Sequence, residues 1–144
     1  MNRHESLAPL SREHHTALIL AQLLKKGAPV YKGLPTLPKD KARFAEKMFA
    51  NILQQHFTKE ETLLEIVKGY HEEIKKLALE ITQEHAQLTV GFNSLDSTID
   101  LEEKMDVLGK ALDRHIRKEE RVLFPLIQQY CPAEILASID LGSL

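Results

Sequence analysis

Four long stretches of the chain repeat apolar residues at intervals of three and four, and each stripe carries one histidine near its middle. That interval is the helical period, so the apolar residues of each stretch share one face. The first stripe is Leu10, His14, Ala17, Leu18, Ala21 and Leu24, with Ser11 as the expected N-cap and Gly27 and Pro29 as the stop. From Gly27 to Pro38 the chain holds two glycines and three prolines, which predicts a loop. The second pattern runs from about Pro38 to Lys68 on Phe49, Ile52, Leu53, His56, Glu60, Leu63, Leu64 and Val67. The third runs from about Tyr70 to Leu95 on Ile74, Leu77, Ala78, Ile81, His85, Leu88, Phe92 and Leu95.

The segment Asp96-Ser97-Thr98 breaks this third pattern, and Asp100 with Glu103 predicts a capping box that opens the fourth. The fourth stripe is Met105, Leu108, Leu112, His115, Glu119, Val122 and Leu126. Pro125 is expected to kink this helix or end its regular part, and Pro132 to start a short terminal helix over 133–139. No stretch alternates with period two over a useful length. The expected fold class is therefore all-α, an up-down-up-down four-helix bundle with a short C-terminal helix.

A chain of 144 residues and 16.4 kDa supports one hydrophobic core, so residues 1–144 are expected to form a single domain. A net charge of −2 lacks the basic face that nucleic-acid binding needs. No run approaches the length of a membrane span, and the N-terminus has no apolar core of a signal peptide. The single cysteine, Cys131, excludes an intramolecular disulfide and thiolate-rich zinc or iron–sulfur sites, and the expected compartment is the cytoplasm. Gly142-Ser143-Leu144 reads as a short frayed tail. The sequence sets no oligomeric state.

The histidines carry the chemistry. His14, His56, His85 and His115 each sit on an apolar stripe, and Glu60 and Glu119 follow His56 and His115 by four residues, one turn further along the same face. A carboxylate in a bundle core costs several kcal/mol unless it is paired or holds a metal. The chain also repeats itself. His56-Phe57-Thr58-Lys59-Glu60-Glu61 aligns without gaps on His115-Ile116-Arg117-Lys118-Glu119-Glu120, and Ser11-Arg12-Glu13-His14 on Thr82-Gln83-Glu84-His85. Two such hairpins related by a pseudo-twofold would gather four histidines and two glutamates on the bundle axis. That set suits two metal ions, each with two histidines, bridged by two carboxylates. Imidazole and carboxylate without thiolate suit iron, manganese or zinc, and bridging carboxylates in a helical bundle favour di-iron or mixed iron–manganese. Neither Glu-x-x-His nor His-Glu-x-x-His occurs. His14 is expected to face the core rather than His15, because it shares the phase of Leu10, Ala17, Leu18 and Ala21. Glu61 and Glu120 lie about 100° off the direction of Glu60 and Glu119, which predicts a solvated place or one behind the ligands. His4 and His71 are expected at the surface.

Taken together, Leu10-Ser11-Arg12-Glu13-His14-His15, His56-x3-Glu60-Glu61, Glu84-His85 and His115-x3-Glu119-Glu120 with Leu123-Phe124-Pro125 resemble the hemerythrin-like (HHE cation-binding) family. The resemblance covers about Leu7 to Gln129, the expected core of the domain. It implies a four-helix bundle with a non-haem di-iron centre, and oxygen, nitric oxide or peroxide as small-molecule partners. By position it implies that His14 and His56 bind one iron and His85 and His115 the other, with Glu60 and Glu119 bridging. Oxygen-carrying members place a second histidine one turn from the third-helix ligand, but Ile81 and Thr89 stand at those positions here. They also usually carry His-x4-Asp on the last helix, where this chain has His-x3-Glu. Both departures count against reversible oxygen carriage. The readings that follow are a module that binds or senses oxygen, nitric oxide or peroxide, a di-iron oxidoreductase acting on peroxide or nitric oxide, iron storage or delivery for repair, and a metal-free structural bundle.

Overall fold

The computed structural model describes residues 2–96 and 99–141. The described residues are helical with no strand. The helices are α1 (Ala8–Leu24), α2 (Pro38–Met48), α3 (Gln54–Val67), α4 (Glu72–Asn93), α5 (Leu101–Lys118), α6 (Phe124–Tyr130) and α7 (Ala133–Ser138). A π turn over Phe49–Leu53 joins α2 to α3, and a second over Glu119–Leu123 joins α5 to α6, so each pair is one continuous helical rod. No helix among the described residues is long and apolar enough to cross a membrane. The expected terminal helix is α7, and the loop between α1 and α2 is irregular, with Gly27 and Gly33 at φ of 71° and 83°. Ser97, Thr98 and the tail Gly142-Ser143-Leu144 lie outside the described residues.

Four local expectations are corrected. Ser11 does not cap α1, because His4 already starts the helix: its carbonyl accepts from the N–H groups of Leu7 and Ala8 at 2.9 and 3.0 Å. Ser11 is left inside the first turns with its hydroxyl free for another partner. Asp100 and Glu103 make no capping box. Asp100 takes a left-handed backbone (φ 54°) rather than the extended one a side-chain cap needs, and makes no cap hydrogen bond, while Glu103 pairs with Lys26. The fourth stripe shifts after Glu119. A π turn takes in one extra residue, so the inward face advances by one. Leu123, Phe124 and Ile127 are buried, whereas Val122 is 44% exposed and Leu126 only half-buried. Pro125 supplies the reason, since it lacks an N–H and its ring would strike the Arg121 carbonyl in a regular helix. His4 and His71 are half-buried rather than on the surface: His4 accepts from the Ser6 N–H at 3.1 Å, and His71 caps α4 by accepting from the Glu73 N–H at 3.0 Å and stacks on Tyr130.

α1 packs along α5, α3 against α4, and α4 against α5. The α1–α5 approach is closest at Gly109, where a Cβ would come within 2.6 Å of the Ala21 carbonyl oxygen. The apolar residues separate into two layers. One holds Ala17, Leu24, Phe49, Phe57, Phe92, Leu112 and Ile116; the other holds Leu10, Leu63, Ile74, Ile81, Leu123, Phe124 and Ile127. Every long rod crosses from one layer to the other, and the buried histidines and glutamates sit where it crosses: His14 between Leu10 and Ala17, His85 between Ile81 and Leu88. A polar band is thus enclosed by apolar packing on both sides.

Candidate metal centre

The band is built from one histidine on each of α1, α3, α4 and α5, with Glu60 on α3 and Glu119 at the start of the second π turn. All six are buried, and Glu119 is 0% exposed. His14 is the inward residue of its pair and His15 is exposed, as the phase of the first stripe predicts. Two groups of four converge: His14, His56, Glu60 and Glu119, and then Glu60, His85, His115 and Glu119, with the ligand atoms of each group within 4.8 Å of one another. Both groups share both carboxylates.

Glu60 divides its oxygens between them. Oε2 lies 2.9 Å from Nε2 of His14 and 2.9 Å from Nε2 of His56. Oε1 lies 2.8 Å from Nε2 of His85 and 3.9 Å from Nε2 of His115. Oε1 of Glu119 lies 3.1 Å from Nε2 of His14 and 3.2 Å from Nε2 of His115. All four Nε2 atoms therefore face inward.

All four Nδ1 atoms face outward, each onto a further carboxylate. His14 meets Glu120 at 3.1 Å, His56 meets Glu13 at 2.8 Å, His85 meets Glu61 at 3.0 Å and His115 meets Glu84 at 2.7 Å. Three of these outer carboxylates are themselves held. Lys59 donates to Glu13 at 3.0 Å, Lys118 to Glu84 at 2.5 Å, and the Ser11 hydroxyl to Glu120 at 2.8 Å, with Arg3 3.7 Å away. An N–H of the ring donated to a carboxylate fixes which nitrogen carries the proton and leaves the Nε2 lone pair for a cation. Phe57 stacks on His85 with ring centres 4.1 Å apart, and Phe124 on His14 at 5.6 Å, so two of the rings are also held by packing.

Sequence reasoning passed over Glu13, Glu84, Lys59 and Lys118. Their signal was present in the repeat: a glutamate precedes His14 and His85, and a lysine precedes Glu60 and Glu119. Glu61 and Glu120 stand behind His85 and His14, on the outward nitrogen of each ring, as their angle predicts.

Without a cation the cluster is held by its own charges. Burial pushes the His14 imidazole down, but Glu119, Glu120 and Glu60 outweigh it and raise it to about 12. Burial likewise opposes protonation of His56 and His115, yet the charge of Glu60 with Glu13 lifts His56 to about 9, and Glu119 with Glu60 and Glu84 lifts His115 to about 11. Burial would raise Glu60, but the surrounding imidazoles hold it well below the usual carboxylate range. The His115 hydrogen bond, joined by Lys118, lowers Glu84 to about 2 against a smaller opposing effect of burial.

The donor set fits a metal better than it fits itself. Nε2 of His56, Nε2 of His115 and both oxygens of Glu119 are buried with no hydrogen-bond partner among the described residues. The ion-pair distances there are short, but the directions are not those of hydrogen bonds. Each such atom costs about 1–3 kcal/mol when left unsatisfied. Four imidazole Nε2 atoms and two carboxylates converging on one buried volume are a donor set that a cation satisfies when it takes the place of the Nε2 protons.

The family model described as the hemerythrin HHE cation binding domain matches residues 5–127, a span that includes all six convergent residues. No curated protein and no solved structure matches the chain.

Proposed function

The chain belongs to the hemerythrin HHE cation-binding domain family, and from that premise we propose that it is a single-domain di-iron protein that binds or senses oxygen, nitric oxide or peroxide. In this reading the chain is one up-down-up-down four-helix bundle. Its support is that successive long rods cross the two apolar layers in opposite senses: α1 from Leu10 to Leu24, then Phe49 to Leu63, then Ile74 to Phe92, then Met105 to Ile127. His14 and His56 would hold one ion and His85 and His115 the other, with Glu60 and Glu119 shared by both groups. The observation that carries the proposal is the division of Glu60, with Oε2 toward one histidine pair and Oε1 toward the other.

Bound iron would supply a redox-active centre with a free position for a small ligand; a mixed iron–manganese or a zinc pair fits the same donors. The chain's own residues set the conditions. Glu13, Glu61, Glu84 and Glu120 orient the imidazoles through Nδ1, and the two apolar layers with Phe57 and Phe124 keep bulk water and large solutes out. Cys131 is buried with its thiol free, which suits a reducing compartment such as the cytoplasm.

One observation favours turnover of peroxide or nitric oxide over carriage. Neither neighbour of His85 one turn away supplies a fifth imidazole: Ile81 is buried in an apolar layer, and the Thr89 hydroxyl is spent on the His85 carbonyl at 2.7 Å. The test is to reduce iron-loaded protein without oxygen and add oxygen or nitric oxide. A charge-transfer band that reverses when the gas is removed supports binding. Consumption of peroxide or nitric oxide over many cycles identifies the oxidoreductase. The absence of any spectral response with iron bound overturns both.

A further inference from the structure

A groove of about 680 Å3 runs between α4 and α5 on the outside of the molecule, away from the bridging carboxylates. Its floor is apolar and shallow in side chains: Leu88 and Gly91 from α4 face Val107, Leu108 and Ala111 from α5. Leu108 fills the space over Gly91, coming within 2.8 Å of where a Cβ would stand, and Ala111 leaves the next turn open. Val107 is 63% exposed and adds apolar surface along the groove. The volume lies in the range of small-molecule pockets, about 300–1,000 Å3.

The charges on the rim are not balanced. Its two acids are both engaged, Glu103 with Lys26 and Glu84 with His115 and Lys118. Its two remaining cations, Lys104 and Arg114, make no ion pair and no side-chain hydrogen bond among the described residues. They stand ten residues apart on α5, about 15 Å along the helix, with the apolar floor between them. A guanidinium presents a planar fork that matches a carboxylate.

We propose that this groove is a binding site for an amphipathic carboxylate, its hydrocarbon part lying on Leu88, Val107, Leu108 and Ala111 and its head group on Arg114. The two unpaired cations favour an anionic head group, and the apolar residues between them favour a hydrocarbon chain over a small inorganic ion. The inner end of the groove is formed by His115 and Glu84, so an occupant rests against the outer edge of one imidazole of the buried cluster. The proposal does not depend on which metal, if any, the cluster holds.

The test uses full-length protein, both as purified and after chelation, titrated with decanoate and separately with decyltrimethylammonium while backbone amide shifts are followed. Decanoate is expected to bind saturably below about 1 mM and to move amides of α4 and α5 along the groove, whereas the cationic amphiphile moves none of them. Arg114→Glu is expected to weaken decanoate at least about tenfold with the melting temperature unchanged. Val107→Glu, at a position already open to solvent, and Ala111→Trp are each expected to abolish saturation. Equal binding of the two amphiphiles, shifts spread over other surfaces, or decanoate binding untouched by both Arg114→Glu and Val107→Glu would overturn the proposal.

Discussion

The outer carboxylates decide how well each imidazole is aimed. Glu84 holds Nδ1 of His115 at 2.7 Å and is in turn held by Lys118. Replacing it with glutamine keeps the size and removes the charge, so Glu84→Gln is expected to weaken metal binding about 10–100-fold. A chelator competition measures this, and an unchanged affinity would mean that the His115 ring is held by packing alone. Protonation gives a second prediction, for the metal-free protein. His14, His56 and His115 stand at about 12, 9 and 11, all above the ordinary value of 6.5. Their contribution to stability is complete below pH 6.5 and is lost as pH rises through the folded values, His56 first. Metal-free protein is therefore expected to need less urea to unfold at pH 9 than at pH 6. Metal affinity should move the other way over that range, because a metal takes imidazole without its proton. A urea midpoint that rises from pH 6 to pH 9 would contradict this.

At the scale of elements, the two glycines inside α-helices among the described residues have opposite expected responses. Alanine is favoured over glycine in a helix by up to about 1 kcal/mol. At Gly109 the added Cβ would meet the Ala21 backbone oxygen at 2.6 Å, so α1 and α5 must separate. Gly109→Ala is expected to destabilise by about 1–3 kcal/mol. At Gly91 the obstacle is the tip of Leu108, which can turn aside, so Gly91→Ala is expected to lie within about 1 kcal/mol of the parent. Chemical denaturation of both variants settles the contrast. The same scale shows what the sequence makes legible. The stripes locate the long helices and the inward histidines because period and burial have one cause. They misplace Val122 and Leu126 because a π turn changes the period, and residue spacing carries no sign of it beyond Pro125. Ser11 reads as a cap by its type, whereas its role beside Glu120 depends on a contact 109 residues away. Glu13 and Glu84 stand in plain view in the repeat, but their partners lie on neighbouring helices, and only the packing shows which imidazole each one meets.

The whole molecule is a pair of apolar layers with a polar band between them, and the band ties together all four rods at their centre. A metal that binds the folded ligand set and not the unfolded chain stabilises the fold by mass action. Chelation should therefore lower the melting temperature of the parent protein, and should leave a Glu60→Ala/Glu119→Ala variant nearly unmoved. An equal fall in both would place the metal elsewhere. The central claim, that the two overlapping groups of four are a dinuclear metal site, is tested most directly by elemental analysis of the purified protein. The account predicts about two equivalents of transition metal per chain, chiefly iron, with a large loss in His56→Ala. Less than about half an equivalent of any transition metal, unchanged by His56→Ala, would contradict it.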